Sequence, residues 1–255
     1  ETVPHVARIL GTLVDVGLGY VTLGQPAPQL GGRSGRVGPD RHRVADGDDR
    51  AHRAVPARDD GGGALSLRGV DGAGGDYPAI VPMLPSGAAA AAPHLTWDDA
   101  PMRPGEGTFF EIAGCYRRYH CPLSRTVFLG QPPRAFLDAE TAVLEGMEAG
   151  LAAARPGNLC EDIALAFFAA LGRRGFAKDS RTGYSIGLSY PPDWGERTMS
   201  LRRGDRTELR PGMTLHFMTG LWLADMGLEL TESILITETG VECLANVPRA
   251  LLVKE

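Results

Sequence analysis

Hydrophobic and polar positions alternate with a coherent period only from about residue 75 onward. "DYPAIVPMLPSG", Asp76–Gly87, reads as a short apolar strand broken by prolines. Thr108–Tyr116 and His120–Leu129 read as two strands paired around Arg117–Arg118. A helix is predicted over Arg134–Ala154, with Phe136, Val143, Met147 and Leu151 at helical spacing and a stop at "RPG", Arg155–Gly157. Asn158 is expected to cap a second helix, with Glu161 three residues on in a capping-box position. That helix would bury Ile163, Phe167 and Leu171 and end near Gly175. Strands resume at Gly183–Tyr190, Met213–Leu223 and Leu228–Thr237. Strands, two helices, then strands again predict an α+β domain with a curved antiparallel sheet backed by helices.

Before residue 75 the pattern is lost. From Gly31 to Gly75, 27 of the 45 residues are Gly, Arg or Asp, without an aromatic or a sustained apolar period. Such a segment buries too little surface to offset its ordering entropy, and its texture resembles GC-rich DNA translated out of frame. Residues 1–74 are therefore expected to be poorly ordered or non-native, apart from a short helix in "VARILGTLVDVG", with a domain over 75–255. A net charge of −5 offers no basic footprint for nucleic acid and no polybasic membrane patch. No apolar run approaches the ~20 residues of a membrane span, and "ETVPHVARIL" lacks the regions of a signal peptide. Four cysteines without CxxC spacing argue against zinc ribbons and thioredoxin chemistry, and suggest reduced thiols in a cytoplasm.

Three residues suggest chemistry. His94 lies in the loop "APHLTW", and Glu111 and Glu232 each interrupt an apolar strand, in "FFEIAG" and "LTESILI". Two strand carboxylates and a histidine suit general acid–base or nucleophilic work. A loop histidine is also an ordinary surface residue, and every second strand position faces solvent, so periodicity leaves both readings open.

The motifs "GEGTFFEIAGCYRRYHCPLSRTVFLG", "RPGNLCEDI", "TGYSIGLSY", "LRPGMTLHF" and "LTESILITETG" occur in the order found in the creatinase/aminopeptidase superfamily of M24-type hydrolases. The chain resembles that superfamily over about residues 75–255, which implies its pita-bread fold. Within it, "GGDYPAIVPMLPSG", "PHLTW" and "FFEIAGCYRRYHCPLSRTVFLG" look most like the ectoine hydrolases. The resemblance implies opening helices over about residues 20–75, where the Gly/Arg/Asp-rich segment stands, so the fold is expected to be incomplete on its N-terminal side. It also implies a homodimer for the intact family member.

The metal-dependent members hold two ions with two aspartates, a histidine and two glutamates. Those positions fall here at Glu111, Pro122, Tyr184, Met218 and Glu232, a set that implies no metal and no cofactor. The catalytic histidine of creatinase, the metal-free branch, corresponds to His94, while its creatine-binding positions are Ser124, Tyr184 and Met218. The implied activity is hydrolysis of a small polar substrate, ectoine or a similar cyclic amidine, opened to N-acetyl-2,4-diaminobutyrate. In that scheme Glu111 is nucleophile or base, His94 carries protons to the leaving nitrogen, and Glu232 orients the amidinium. Tyr184, His120, His216, Trp194 and Glu196 are candidate substrate contacts, the last two from the loop "PPDWGERT". Another creatinase-like C–N hydrolase, and a non-catalytic binding module of the same fold, are the competing readings.

Overall fold

The structure, a computed structural model, describes residues 75–95 and 101–255. Residues 1–74, where poor order and a short helix are expected, fall outside the described residues. The first long elements are β1 (Gly107–Tyr116) and β2 (Tyr119–Leu129), an antiparallel hairpin in which Glu111 stands opposite Ser124. Its two-residue turn places Arg117 and Arg118 at φ of 49° and 67°, a left-handed pair that usually falls to Gly or Asn. Arg118 is fixed there by its neighbours. Its amide donates to Asp76 Oδ2 at 3.1 Å and its guanidinium to the carbonyls of Ser189 and Tyr77. The same guanidinium lies over the rings of Tyr77, at 4.2 Å, and Tyr190, at 4.9 Å.

Asp76–Gly87 forms no continuous strand, since Pro78, Pro82 and Pro85 carry no amide hydrogen to sustain a ladder. It meets β1 through isolated bridges, Met83 with Glu111 and Ser86 with Thr108. A short 3-10 helix follows at Gly87–Ala91.

α1 (Arg134–Ala153) and α2 (Cys160–Arg173) form the helical layer, with the predicted apolar positions buried. The start of α2 differs from expectation. Leu159 is the N-cap residue, and its amide donates to Asp162 Oδ2 at 2.7 Å. The Asn158 amide instead donates back to the Ala153 carbonyl at the end of α1, and Glu161 accepts from Gly204 N. An isolated bridge between Leu159 and Glu208 carries the chain one residue further before it coils.

A five-stranded antiparallel sheet follows, in the order β4 (Gly195–Ser200), β3 (Gly183–Ile186), β5 (Thr214–Phe217), β8 (Glu232–Ile236), β9 (Val241–Cys243). Two of the predicted strands are each divided. Met213–Leu223 breaks into β5 and β6 (Leu221–Trp222), and Leu228–Thr237 into β7 (Gly227–Leu228) and β8. At the second break the chain leaves its ladder to bond across to β2. Thr231 N donates to Ser124 O, Glu229 N to Thr126 Oγ1, and Thr126 Oγ1 to Glu229 O. β10 (Leu252–Lys254) adds a parallel edge to β2.

One face of the five-stranded sheet, with Leu215, Phe217, Ile234 and Ile236, packs on the helices. A second apolar cluster joins Met83, Phe109, Ala113, Tyr184, Ile186, Trp194 and Met218. The architecture is α+β, as the order of elements predicts, though β10 makes one edge parallel.

Candidate active site

Alternation along β1 turns Phe109, Glu111, Ala113 and Cys115 inward and leaves Phe110, Ile112 and Gly114 on the more open face. Glu111 is 2% exposed, so its carboxyl is enclosed rather than solvated. Burial, and then the charge of Glu229, hold it well above the usual carboxylate range. The side chain facing it from β5 is His216, whose Nδ1 lies 3.9 Å from Glu111 Oε1. Burial pushes this imidazole down to about 3, so it is neutral and the approach is no ion pair.

Both ring nitrogens of His216 are engaged. Nδ1 meets Tyr184 Oη at 2.9 Å, and Nε2 meets Thr231 Oγ1 at 2.9 Å. Trp194 Nε1 donates to Tyr184 Oη at 2.9 Å, so the hydroxyl keeps its own hydrogen to pass on. Burial, and then the Glu111 charge, raise the Tyr184 phenol far above its ordinary value and keep it protonated. Trp194, Tyr184, His216 and Thr231 thus form a neutral hydrogen-bonded chain beside Glu111.

A second carboxylate closes the cluster. Glu229 is fully buried; its Oε2 accepts from Ser124 Oγ at 2.6 Å and its Oε1 from Trp222 Nε1 at 3.0 Å. Burial pushes its carboxyl up to about 7. Lys178 donates to the Gly220 carbonyl at 2.8 Å and stacks 3.9 Å above the Trp222 ring. Burial lowers this ammonium to about 7, with Glu229 opposing the shift. Sequence reasoning missed Glu229. Its signal was the one that marked Glu111, a lone carboxylate between apolar neighbours, here Leu228 and Leu230.

Of the residues expected from the sequence, Glu111, Tyr184, His216 and Trp194 converge. Glu232 does not join them. It is paired in register with Phe217 on the helix-facing side, where Arg125 Nη2 reaches its Oε1 at 2.7 Å and Arg249 Nε at 3.2 Å. The residue at the entry of β8 that does face His216 is Thr231, one position earlier; a shift of one residue in a strand exchanges the faces. His120 pins the 75–86 segment, its Nε2 accepting from Ala79 N at 2.9 Å and its Nδ1 bonding Arg118 O at 3.0 Å. Glu196 is half-buried, and its backbone carbonyl accepts from Ser185 Oγ. His94 is exposed in the turn after the 3-10 helix, with no hydrogen bond or ion pair to Glu111 or Glu232.

The two-helix layer and antiparallel sheet have known counterparts. Residues 60–238 match the family model of Metallopeptidase family M24, and the chain belongs to that family. Among its relatives, the ectoine hydrolase of Halomonas elongata is 68% identical over 182 residues, 71% of this chain and 46% of that protein. An uncharacterised hydrolase/peptidase of Sinorhizobium fredii is 42% identical over 74% of this chain and 48% of its own. The chain thus spans about half the length of the curated relatives it matches. Among solved structures, the dipeptidase PepE of Mycobacterium ulcerans superposes with a TM-score of 0.69 at 25% identity, covering 78% of this chain and 53% of that one. The X-Pro aminopeptidase of Thermotoga maritima gives 0.70 at 21% identity, over 77% and 55%, and shares the pita-bread fold.

The family's name implies metal ions, and the residues here do not fit a pair of them. Pro122 offers only a carbonyl, which already accepts from Ser233 Oγ. Tyr184 Oη is bonded to Trp194 and His216, and Met218 presents a thioether within the apolar cluster. Glu232 is held by two arginines on the other face. Among the described residues no group of three or more His, Cys, Asp or Glu could hold an ion. Among those residues, too, no helix is long and apolar enough to cross a membrane.

Proposed function

We propose that this chain is the catalytic part of a hydrolase that opens the cyclic amidine ring of ectoine to N-acetyl-2,4-diaminobutyrate without a metal ion. The observation that carries the reading is the enclosed Glu111, for which the described residues offer no metal donor set, in a chain 68% identical to an ectoine hydrolase over 182 residues. An amidine carbon between two nitrogens is electrophilic. Glu111 attacks it directly or takes a proton from the attacking water, and the C–N bond that breaks needs a proton on its nitrogen. His216 and His120 have both ring nitrogens engaged. The proposed proton carrier is therefore His94, which is exposed and can exchange with solvent. The chain from Trp194 to His216 lines one side of Glu111. Glu232 is assigned to the support of β8 and no longer to the amidinium. A cytoplasmic location and a homodimer belong to the same proposal; all four cysteines are free thiols, which suits a reducing compartment.

The test is incubation of the parent and of Glu111→Gln with ectoine, followed by mass spectrometry. The parent is expected to give a product one water heavier, and the variant to lose activity by at least about a hundredfold, the scale of a lost acid–base group. Turnover by the variant at the parent rate would sink the assignment, and an inert parent would leave a binding module.

A further inference from the structure

Glu229 has no role in the scheme above, yet it is as deeply buried as Glu111 and its charge acts on it. Ser124, which binds Glu229 Oε2, is the register partner of Glu111, so both carboxylates lie on one side of the β1–β2 hairpin. Their neighbours leave the pair short of positive charge. Arg125, the next residue on β2, turns away to Glu232. Lys178 directs its ammonium to the Gly220 carbonyl and the Trp222 ring, so its charge acts on Glu229 without an ion pair, and Arg181 lies over the Tyr184 ring at 4.5 Å rather than against either carboxylate. His216 is neutral, with both nitrogens bonded within the chain to Tyr184 and Thr231. No ion pair within 4.0 Å is formed by Glu229 among the described residues, while the weak approach of His216 is the one Glu111 has. Aromatic rings stand near both carboxylates, with Trp222 bonded to Glu229, and Tyr184 bonded to the His216 that approaches Glu111. Two adjacent buried carboxylates cannot both ionise cheaply, so an empty site retains a proton that belongs to the pair.

We propose that Glu229 is the specificity-determining counter-charge of this site, selecting with Glu111 a compact delocalised cation, an amidinium or guanidinium, over a neutral amide of the same shape. Entry of the cation releases the shared proton to solvent and leaves both carboxylates ionised around it. An amide, having no charge to replace that proton, must enter with the pair still protonated. The inference rests on Glu111 as the attacking group but does not require that the substrate be ectoine.

Calorimetric titration of the whole chain near pH 6.5 tests this, with acetamidinium and neutral acetamide as probes in two buffers of different ionisation enthalpy. Acetamidinium is expected to bind at least about tenfold more tightly than acetamide and to release about one proton per site. Glu229→Gln, close in shape to the parent residue, should lose both the preference and the proton release, whereas Glu229→Asp should recover part of each. Trp222→Phe, which removes a hydrogen bond to Glu229 and leaves its charge, should weaken acetamidinium alone, and provides the same test if Glu229→Gln does not fold. Equal binding of the two probes, binding of neither, or an unchanged response in these variants would overturn the proposal. A parent that prefers acetamidinium but leaves ectoine intact refutes the ectoine reading and retains Glu229. A parent that opens ectoine without any preference for the cation refutes Glu229 and retains the ectoine reading.

Discussion

Glu111 must lose its proton before it can attack carbon or activate water, and its surroundings oppose that loss. Burial disfavours the charged form first, and the negative charge of Glu229 adds to it. The acid limb of kcat/KM against pH is therefore expected to lie above the ordinary carboxylate range. Replacing Glu229 by Gln removes a like charge, favours ionised Glu111, and should move that limb to lower pH; a limb that stays in place would show that the two groups do not share a field. At this scale the sequence was informative but incomplete. Glu111 could be singled out because Phe110 and Ile112 flank it, but whether it faced inward depended on strand parity, which the burial of β1 supplies. Parity also separates Thr231 from Glu232, and no property of "LTESILI" fixes it without the partner strand. Glu229 carries the same local signal as Glu111, a lone carboxylate between apolar neighbours, and stands outside the family's ligand positions.

At the scale of elements, the helices were the most legible part, since a 3.6-residue apolar period is distinctive over 14 to 20 residues. The glycines on the buried face of α1 have a reason the period does not reveal. A Cβ added at Gly146 would lie 2.6 Å from the Phe167 ring, and one at Gly150 would strike Phe217. These close approaches bring α1 down onto α2 and β5. Gly146→Ala gains at most ~1 kcal/mol of helix propensity. It is expected to destabilise the fold by about 1–3 kcal/mol through overpacking, measured by urea denaturation; a stabilised variant would show that the ring can move aside. The strand break at 229–231 was not legible, because its cause is the bonding of Thr126 and Ser124 to backbone about a hundred residues away. At 218–220 the bonds likewise go to distant partners, Met218 N to Thr182 O and Thr219 Oγ1 to Leu230 O.

For the molecule as a whole, Arg125 is the principal long-range tie. Its guanidinium donates to the carbonyls of Ser124, Thr231, Val247 and Pro248 and to Glu232 Oε1, and both side chains of the ion pair are at most 2% exposed. One residue of β2 thereby gathers β8 and the C-terminal segment, with Arg249 extending the link through Glu148 to α1. Removing one partner of a buried pair strands the other. Arg125→Met should cost about 3–5 kcal/mol, seen as a lower denaturation midpoint, and Arg125→Met with Glu232→Gln should recover part of it. If the single variant melts like the parent, the pair contributes little to holding β2 and β8 together.

The left-handed turn at Arg117–Arg118 links stability to motion. Each residue there holds a conformation that costs of order 1 kcal/mol for a side-chain-bearing residue, so glycine at either position removes strain. The two glycines should differ in their effect on breathing. Arg117→Gly is expected to leave amide exchange unchanged or slower. Arg118→Gly frees Tyr77 and Ser189 as well, and the strip from 76 to 86 then loses one of the anchors that hold it along β1, beside His120 and the two bridges. Because Met83 and Glu111 exchange backbone hydrogen bonds in both directions at 2.9 Å, faster deuterium uptake at these two amides would be the readout. A hairpin tip some distance along the strand would then set how often the backbone of Glu111 opens to solvent.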